Sequence, residues 1–247
     1  MKAQRLLVLI PLMLGLGNAQ AERREFTYGV AAEIDANGHV VDADLKAKDV
    51  DEAFASTIEG LVKQWRFRPA MADGQPATAA TMLWVQIVVD IDKSQSARVT
   101  ARYLRHGAAP RDLQQAPRYP KDAIRSQVSA EVAVVATVDA EGKPVNIELH
   151  SLMMNLDDAR LGKRFAAETM ETIRRWKFQP EKVNGRPVAS RVVVPIKYTI
   201  RNGAVRNWKW MVKPPQDVEV ALDFSAQQPV ALGNATGLEF ISDGSKG

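Results

Sequence analysis

Trp176-Lys177-Phe178-Gln179-Pro180, followed by Asn184-Gly185-Arg186-Pro187-Val188, is the stretch of this 247-residue chain that decides its fold. The same pattern stands 111 positions earlier, as Trp65-Arg66-Phe67-Arg68-Pro69 and Asp73-Gly74-Gln75-Pro76-Ala77. Two further stretches, Ile34 to Leu45 and Val138 to Leu149, share five of twelve residues at an offset of 104. Self-similarity at a period of about 100 residues indicates two related domains rather than a solenoid of short repeats.

Each copy predicts a β-hairpin first. In the second copy, Glu131 to Asp139 alternates between apolar and polar residues, the period of a strand. A turn at Gly142 and a returning strand from Val145 to Leu149 complete the hairpin. The equivalent glycine of the first copy is Gly38. Both glycines are therefore assigned structural roles, as turn residues.

A helix and a third strand follow the hairpin in each copy. The apolar face of the helix repeats at helical spacing, and its members are Phe54, Ile58, Leu61, Val62 and Trp65 in the first copy and Phe165, Thr169, Thr172, Ile173 and Trp176 in the second. Pro69 and Pro180 end the helical pattern. The third strands are predicted at Met82 to Val89 and Arg191 to Ile200. Trp65, Phe67, Trp176 and Phe178 are interpreted as core residues, because aromatic residues at this spacing pack more often than they bind ligands.

The sequence thus predicts an α+β protein with two tandem β-β-α-β units, each a small antiparallel sheet with a helix packed on one face. The predicted boundaries are a signal peptide at 1–21, a first unit at 22–104, a second unit at 108–201 and a tail at 202–247. Trp208, Trp210 and the alternation from Val218 to Phe224 predict one further strand or hairpin in the tail. The turn-rich end from Gln227 is expected to fray.

Three motifs of the second copy occur in an order that characterises one protein family. They are the opening Pro117-Arg118-Tyr119-Pro120, the helix end Arg174-Arg175-Trp176-Lys177-Phe178-Gln179-Pro180, and the strand Val194-Pro195-Ile196. On these motifs, residues 112–201 resemble the C-terminal domain of TonB family proteins, which are energy transducers. Residues 24–92 resemble the same domain more weakly, because they lack the Tyr-Pro opening. The second copy departs from the family at Gln127 and Ala130, where glycines are common.

The resemblance implies a partner-binding module of TonB-dependent transport across the outer membrane, with siderophores as typical cargo. It implies that an outer-membrane receptor adds a short strand to the edge of the last strand of the second copy, by pairing backbone groups. The residues carried over as partner-binding are Gln115, Arg118, Tyr119, Val192, Val194, Ile196 and Tyr198. A plain core strand is the alternative for Arg191 to Ile200, and Pro195 favours an edge because it lacks a backbone donor. Inner-membrane transport-complex components and a second copy of the chain are further partners that the resemblance suggests.

The N-terminus predicts export to the periplasm. Lys2 and Arg5 precede the apolar run Leu6 to Leu16, and Ala19-Gln20-Ala21 supplies small residues for cleavage before Glu22. The run has 11 residues, against the roughly 20 that a membrane-spanning helix requires. We therefore expect a cleaved signal peptide rather than an anchor. Losing Lys2 and Arg5, with no acid lost, lowers the formal net charge from +4 to +2.

Other classes of function have little support in the sequence. The chain has no cysteine, and its three histidines, His39, His106 and His150, are far apart, so neither a catalytic site nor a metal or other cofactor is predicted. Asp157-Asp158 is interpreted as a helix cap, and Arg174-Arg175 as a solvated helix face rather than a nucleic-acid site. With no Pro-rich spacer between the copies, we expect a periplasmic strand-binding protein. The alternative is an envelope scaffold that binds peptidoglycan or itself, because fold does not fix function.

Overall fold

The computed structural model describes residues 21–47, 50–94, 96–111, 114–200, 207–215, 224 and 228–244. The chain forms two compact units. The first comprises the residues up to Arg105 together with those from Gly237 onward, and the second comprises His106–Thr236. The segment that the sequence set apart as a tail is therefore divided between the two units.

The elements follow the order that the repeat predicts, with added short strands. In the first part of the chain they are β1 (Glu22–Ile34), β2 (Val40–Leu45), α1 (Glu52–Val62), β3 (Arg66–Arg68), β4 (Ala70–Ala72), β5 (Gln75–Ala77), β6 (Ala79–Ile91) and β7 (Ala97–Gly107). They continue as β8 (Ala109–Pro110), α2 (Lys121–Arg125), β9 (Ala130–Val138), β10 (Pro144–Met154), α3 (Ala159–Ile173), β11 (Phe178–Gln179), β12 (Glu181–Val183), β13 (Arg186–Val188) and β14 (Ser190–Tyr198). The last three strands are β15 (Lys209–Val212), β16 (Val230–Leu232) and β17 (Glu239–Ser242).

The sheet of the first unit is built around β1. This strand pairs antiparallel with β2 on one side and with β6 on the other, in an unbroken register from Glu22↔Ile91 to Ile34↔Ala79. The other neighbour of β6 within the unit is β7. Helix α1 contacts β2, and the buried Ile58 and Val62 of the helix belong to the core. Because alternate residues of a strand share a face, the buried Val30, Ala32 and Ile34 of β1 lie on one face of the sheet.

The second unit contains a five-stranded sheet in the order β15-β10-β9-β14-β16. Helix α3 packs on β9 and β10. Its buried face includes Leu161, Phe165 and Ile173, which join a core of strand valines. The sheet and the single helix across one face match the α+β class predicted from the sequence. That the two units are tandem copies of one domain stays a prediction.

Helix α3 begins at a side-chain cap. The Asp158 carboxylate accepts hydrogen bonds from the backbone N–H groups of Arg160 and Leu161, at 2.9 and 3.0 Å. These are N–H groups that lack a partner within the helix. The predicted cap at Asp157-Asp158 is thus confirmed at Asp158. Asp51 caps α1 in the same way, through the Phe54 N–H at 3.0 Å.

The chain turns at Asp73-Gly74 and at Asn184-Gly185. Both residues of each pair have positive φ, between 48° and 76°. That conformation is typical of two-residue hairpin turns, whose twist matches the flanking strands. The first turn joins β4 to β5 and the second joins β12 to β13.

The prediction for the end of the chain was only partly correct. The further strand expected near Trp210 is confirmed as β15, whereas Val218, Val220 and Leu222 lie outside the described residues. The expectation that the chain frays from Gln227 is wrong. Val230–Leu232 pairs with β14 and Glu239–Ser242 pairs with β3, so both segments gain backbone hydrogen bonds that their own sequence does not reveal.

Candidate functional site

The predicted docking strand, β14, has different neighbours on its two sides. Toward the sheet centre it pairs with β9 over its whole length, from Ser190↔Val138 to Tyr198↔Ala130. On the other side β16 pairs with it over three residues only, Arg191↔Leu232, Val192↔Ala231 and Val193↔Val230. From Val194 to Tyr198, no other strand of the described part of the chain lies along this side. The resemblance implied a docking edge here, with a plain core strand as the alternative; the structure has an edge that is occupied at one end and open at the other.

The partner-binding side chains predicted on β14 face the core. Val192 and Val194 are fully buried, and Ile196 and Tyr198 are 3% and 4% exposed. All four belong to the main hydrophobic cluster of the second unit. A partner at this edge therefore cannot reach these side chains, and only the backbone groups of β14 are available for pairing.

The ring nitrogen of Pro195 is accommodated on the side of β14 that faces away from β9. Pro195 lies opposite Ala133 in the register, beyond the three residues that β16 covers. A proline has no N–H to donate, and within a sheet it is tolerated where the missing donor points out of the ladder. Because alternate residues of an antiparallel strand direct their N–H groups to the same side, the N–H of Lys197 points outward like the ring nitrogen of Pro195.

Tyr198 anchors the open end of β14 in a buried polar contact. The Tyr198 hydroxyl lies 2.7 Å from Thr169 Oγ1. The Thr169 hydroxyl in turn donates to the backbone oxygen of Phe165 in α3, at 2.8 Å. Burial raises the pKa of Tyr198 to about 12, so the phenol is neutral at ordinary pH. The contact fixes the strand end against the helix, which holds the open backbone edge in a defined position.

The other predicted site residues lie in the segment before α2. Tyr119 packs its ring edge-on against Tyr198, with 5.4 Å between ring centroids, and its hydroxyl donates to the backbone oxygen of Val128 at 2.7 Å. Gln115 and Arg118 are exposed. The backbone oxygen of Gln115 accepts from the Trp176 indole N–H at 3.0 Å. The structure thus brings Tyr119 to the end of β14 and ties Gln115 to the end of α3.

Charged residues lie near both ends of β14. Arg191 is exposed beside the strand β16. Lys197 forms an ion pair with Glu131 on β9, with 3.3 Å between Nζ and Oε1. Glu131 and Lys197 are also directly opposed in the register. The pair is half-buried, so it stabilises the alignment of the two strands more than a fully exposed pair would.

The residues that sequence reasoning missed are those of β16. Val230-Ala231-Leu232 stands between Pro229 and Gly233, and three residues are too few to show a strand period. The position of β16 depends on a contact with Arg191–Val193, about 40 residues away along the chain. No local pattern could have placed it there.

In the first unit, β6 is the strand that corresponds in order to β14, and its outer side is occupied by β7. These two strands are joined by a short turn in which the Asp92 N–H donates to the Ser96 oxygen at 3.0 Å. The Asp92 carboxylate also accepts from the backbone N–H groups of Ser94 and Ser96, at 2.8 and 3.0 Å. A partner therefore has no comparable access to β6.

Within the described ranges, no group of three or more His, Asp or Glu side chains is arranged to hold a metal ion. Nor do those ranges contain a helix that is both long and apolar enough to span a membrane. The distinctive feature of the second unit is therefore an antiparallel sheet with one helix and a partly open edge on its last long strand.

This arrangement is that of a small α+β domain, and comparison with known proteins finds a family that matches it. Residues 115–200 match the family described as Gram-negative bacterial TonB protein C-terminal. The match begins at Gln115 and ends just after β14, so it covers the helix, the strands β9 and β10 and the partly open edge. It leaves the first unit outside.

The chain is similar to proteins named TonB in two bacterial species. It is 34% identical over 84 residues to Protein TonB of Xanthomonas campestris pv. campestris (strain B100), which is 34% of this chain and 34% of that protein. It is 32% identical over 86 residues to Protein TonB of Vibrio cholerae serotype O1, which is 34% of this chain and 32% of that protein. The chain thus spans about a third of the length of the curated relatives it matches. The similarity supports a TonB-like C-terminal domain in the second unit.

Proposed function

We propose that this chain is a periplasmic TonB-like protein whose second unit binds an extended segment of a TonB-dependent outer-membrane receptor by strand addition. The observation that carries the proposal is the open edge of β14 from Val194 to Tyr198. Unpaired backbone groups along such an edge are a template for an incoming strand. The match of this unit to TonB C-terminal domains supports the same role.

Recognition at the open end of this edge depends on backbone hydrogen bonds rather than on the predicted side chains of β14, which are buried. Val194, Ile196 and Tyr198 hold the strand by their burial in the core. Tyr119 supports the same end through its ring contact with Tyr198. The four predicted residues of β14 are buried, so their role is to hold the strand edge in position. Gln115 and Arg118 are the exposed members of the predicted set.

We also propose that the first unit is a diverged copy of the same domain. Both units have the order hairpin, helix, short hairpin, long strand. The contact after the helix is also shared, because the Phe67 N–H donates to the Gly38 oxygen at 2.8 Å and the Phe178 N–H donates to the Gly142 oxygen at 2.9 Å. With β7 already along β6, this copy serves a structural role and leaves strand binding to the second unit.

The first experiment is recovery of a receptor. The full chain is used as bait on detergent-solubilised outer membrane, with a synthetic peptide of the receptor's N-terminal extended segment as competitor. We expect a TonB-dependent receptor to be recovered and the peptide to prevent it. Failure to recover a receptor, or recovery that the peptide leaves unchanged, would contradict the proposal. Crosslinking to peptidoglycan fragments instead would favour the scaffold role.

A matched pair of variants tests the edge itself. Lys197→Pro removes the outward N–H, whereas Lys197→Ala removes the same ion pair and keeps the N–H. We expect Lys197→Pro to weaken peptide binding by about tenfold, the effect of one or two backbone hydrogen bonds, and Lys197→Ala to leave it nearly unchanged. Fluorescence anisotropy with a labelled peptide measures both, and thermal melts establish that both variants fold. Equal binding by the two variants would exclude pairing at this point of β14.

A further inference from the structure

The short strand β16 occupies part of the edge that the proposed function requires. It pairs with Arg191, Val192 and Val193, which is one end of the nine-residue β14. A partner strand aligned with Val194 to Tyr198 and continuing along β14 would meet β16 at Val193. Two strands cannot pair with the same side of the same residues, so the two compete wherever they overlap.

β16 pairs with β14 over a short register, and its central residue Ala231 packs against Gly107, where an added methyl group would lie 2.8 Å from the Ala231 Cβ. The register of β16 covers three residues, whereas that of β9 covers all nine. Val230 is buried, but Ala231 and Leu232 are only partly buried. Leu232 packs with Val193 and Val135 on the face of the sheet opposite the main core. A three-residue strand with one buried side chain contributes much less than the β9 pairing, so its release costs little of the stability of the unit.

The arrangement differs in the first unit. There β7 follows β6 through a short turn with three backbone hydrogen bonds to Asp92 and runs for 11 residues. A strand delivered by a short hairpin loses little entropy on pairing, whereas β16 is separated from β14 by about 30 residues of chain and loses more. The edge of β6 is therefore covered by β7, whereas the edge of β14 is covered by β16 only in part.

We infer that β16 is a displaceable internal strand that competes with the receptor segment for β14 and so regulates its binding. The inference rests on the proposed function. Binding of a long partner strand requires β16 to leave, and the apparent affinity is lowered by the fraction of molecules in which β16 stays bound. A segment confined to Val194–Tyr198 would not be affected.

β16 also indicates which chemistry the edge accepts. Val230 faces Val193 and is 8% exposed, so the edge at this point takes a small apolar side chain into a buried position. The next cross-strand neighbours are Leu232 and the exposed Arg191. We therefore expect a partner segment of small apolar residues, with an acidic residue favoured opposite Arg191.

A reversible disulfide tests the competition directly. The chain contains no cysteine, so Arg191→Cys combined with Leu232→Cys introduces a single pair, and the two positions are directly opposed in the register. Opposed positions in antiparallel strands are within the range that a disulfide bridges. The oxidised protein keeps β16 on β14, and reduction allows β16 to leave. Leu232→Cys alone, carried through the same oxidation, is the control.

The readout is binding of the labelled receptor peptide by the full chain before and after reduction. We expect the oxidised double variant to bind about tenfold more weakly than the reduced form, since three residues of pairing are denied to the peptide. The control should not respond to reduction. Equal affinities in the oxidised and reduced double variant would overturn the inference. Absence of binding in the reduced and parent proteins would instead overturn the proposed function.

A second variant tests release without a disulfide. Leu232→Pro removes the N–H that faces Arg191 of β14, whereas Leu232→Ala shortens the same side chain and keeps that N–H. We expect Leu232→Pro to bind the peptide at least about threefold more tightly than Leu232→Ala, because the competing strand is weakened. Unchanged affinity in Leu232→Pro, with β16 shown to be released by faster hydrogen exchange of Val193, would contradict the competition.

Discussion

Gly142 and Gly185 have nearly the same backbone conformation, with φ of 79° and 74°, but different surroundings. A methyl group on Gly142 would lie 2.1 Å from the Phe178 oxygen, whereas one on Gly185 has nothing within 4 Å. Gly38 repeats the crowded case, at 1.7 Å from the Phe67 oxygen. The sequence predicted Gly38 and Gly142 as turn residues, but it could not show that the chain after the helix lies against them.

This difference predicts unequal costs of the same substitution. Gly185→Ala should destabilise by about 1 kcal/mol, from the strain of positive φ alone. Gly142→Ala should destabilise by about 3 kcal/mol or more, because the methyl group also displaces the Phe178 backbone. Urea denaturation of the two variants checks the difference. Equal costs would mean that the close approach at Gly142 is absent in solution.

Gln127 is a residue in a conformation that suits glycine. Its φ is +53°, directly after α2, and its N–H donates to the Ile124 oxygen at 3.1 Å. Gln127→Gly should therefore stabilise the protein by about 0.5–1 kcal/mol, since the relief of strain exceeds the entropy gained by the unfolded chain. Gln127→Ala keeps the strain and serves as the control. A lower melting temperature for the glycine variant than for the alanine variant would contradict this account.

His150 is a buried titratable side chain on β10. It is 5% exposed, and burial lowers its pKa below the usual value. The unfolded chain takes up a proton near pH 6.5 and the folded chain only at lower pH, so stability is full above about pH 6.5 and falls as the pH drops below it. His150→Gln should reduce this fall. Urea midpoints at about pH 7.5 and 5.5 measure it, and an equally steep fall in the variant would assign the effect to other groups, such as His106, whose pKa burial also lowers.

At the scale of the elements, the end of α3 shows how far sequence patterns reach. The aromatic spacing predicted that Trp176 and Phe178 would pack, and the structure buries both. The hydrogen bond from the Trp176 indole to the Gln115 oxygen, at 3.0 Å, could not be predicted, because it joins residues 61 positions apart. Periodicity reports which face of an element is apolar, and it carries no information on which distant backbone group meets that face.

Two substitutions of Trp176 separate packing from this hydrogen bond. Trp176→Phe should cost about 1–2 kcal/mol, from the lost hydrogen bond and some volume, and Trp176→Ala about 3–5 kcal/mol, from the cavity. The Phe variant should also increase proteolysis in the segment around Gln115. Thermal melts and limited proteolysis provide the measurements. A melting temperature of Trp176→Ala equal to that of the parent would refute the core assignment.

At the scale of the whole molecule, the C-terminal strand completes the first unit. β17 pairs with β3, and Phe240 stacks on Tyr103 with 4.4 Å between ring centroids, beside Trp65 and Phe67. Arg68 and Glu239, which are 171 positions apart, form an ion pair across the two strands. The sequence predicted the first unit to end near residue 104 and missed the contribution of β17. A four-residue strand that pairs so far along the chain shows no local sign of its partner.

Phe240→Ala should therefore destabilise the first unit, although it lies at the other end of the chain. We expect a loss of about 2–4 kcal/mol, from the removed ring area and its edge-to-face contacts with Trp65 and Phe67. The neighbouring Ile241 is 63% exposed, so Ile241→Ala should cost less than about 0.5 kcal/mol and is the matched control. Hydrogen exchange should show faster opening of β1 and β6 in Phe240→Ala and unchanged protection of β9 and β14. If β17 completes the core, weakening it must also weaken the strands that pack on the same core. Loss of protection confined to Glu239–Ser242 would therefore mean that β17 does not contribute to the core of the first unit.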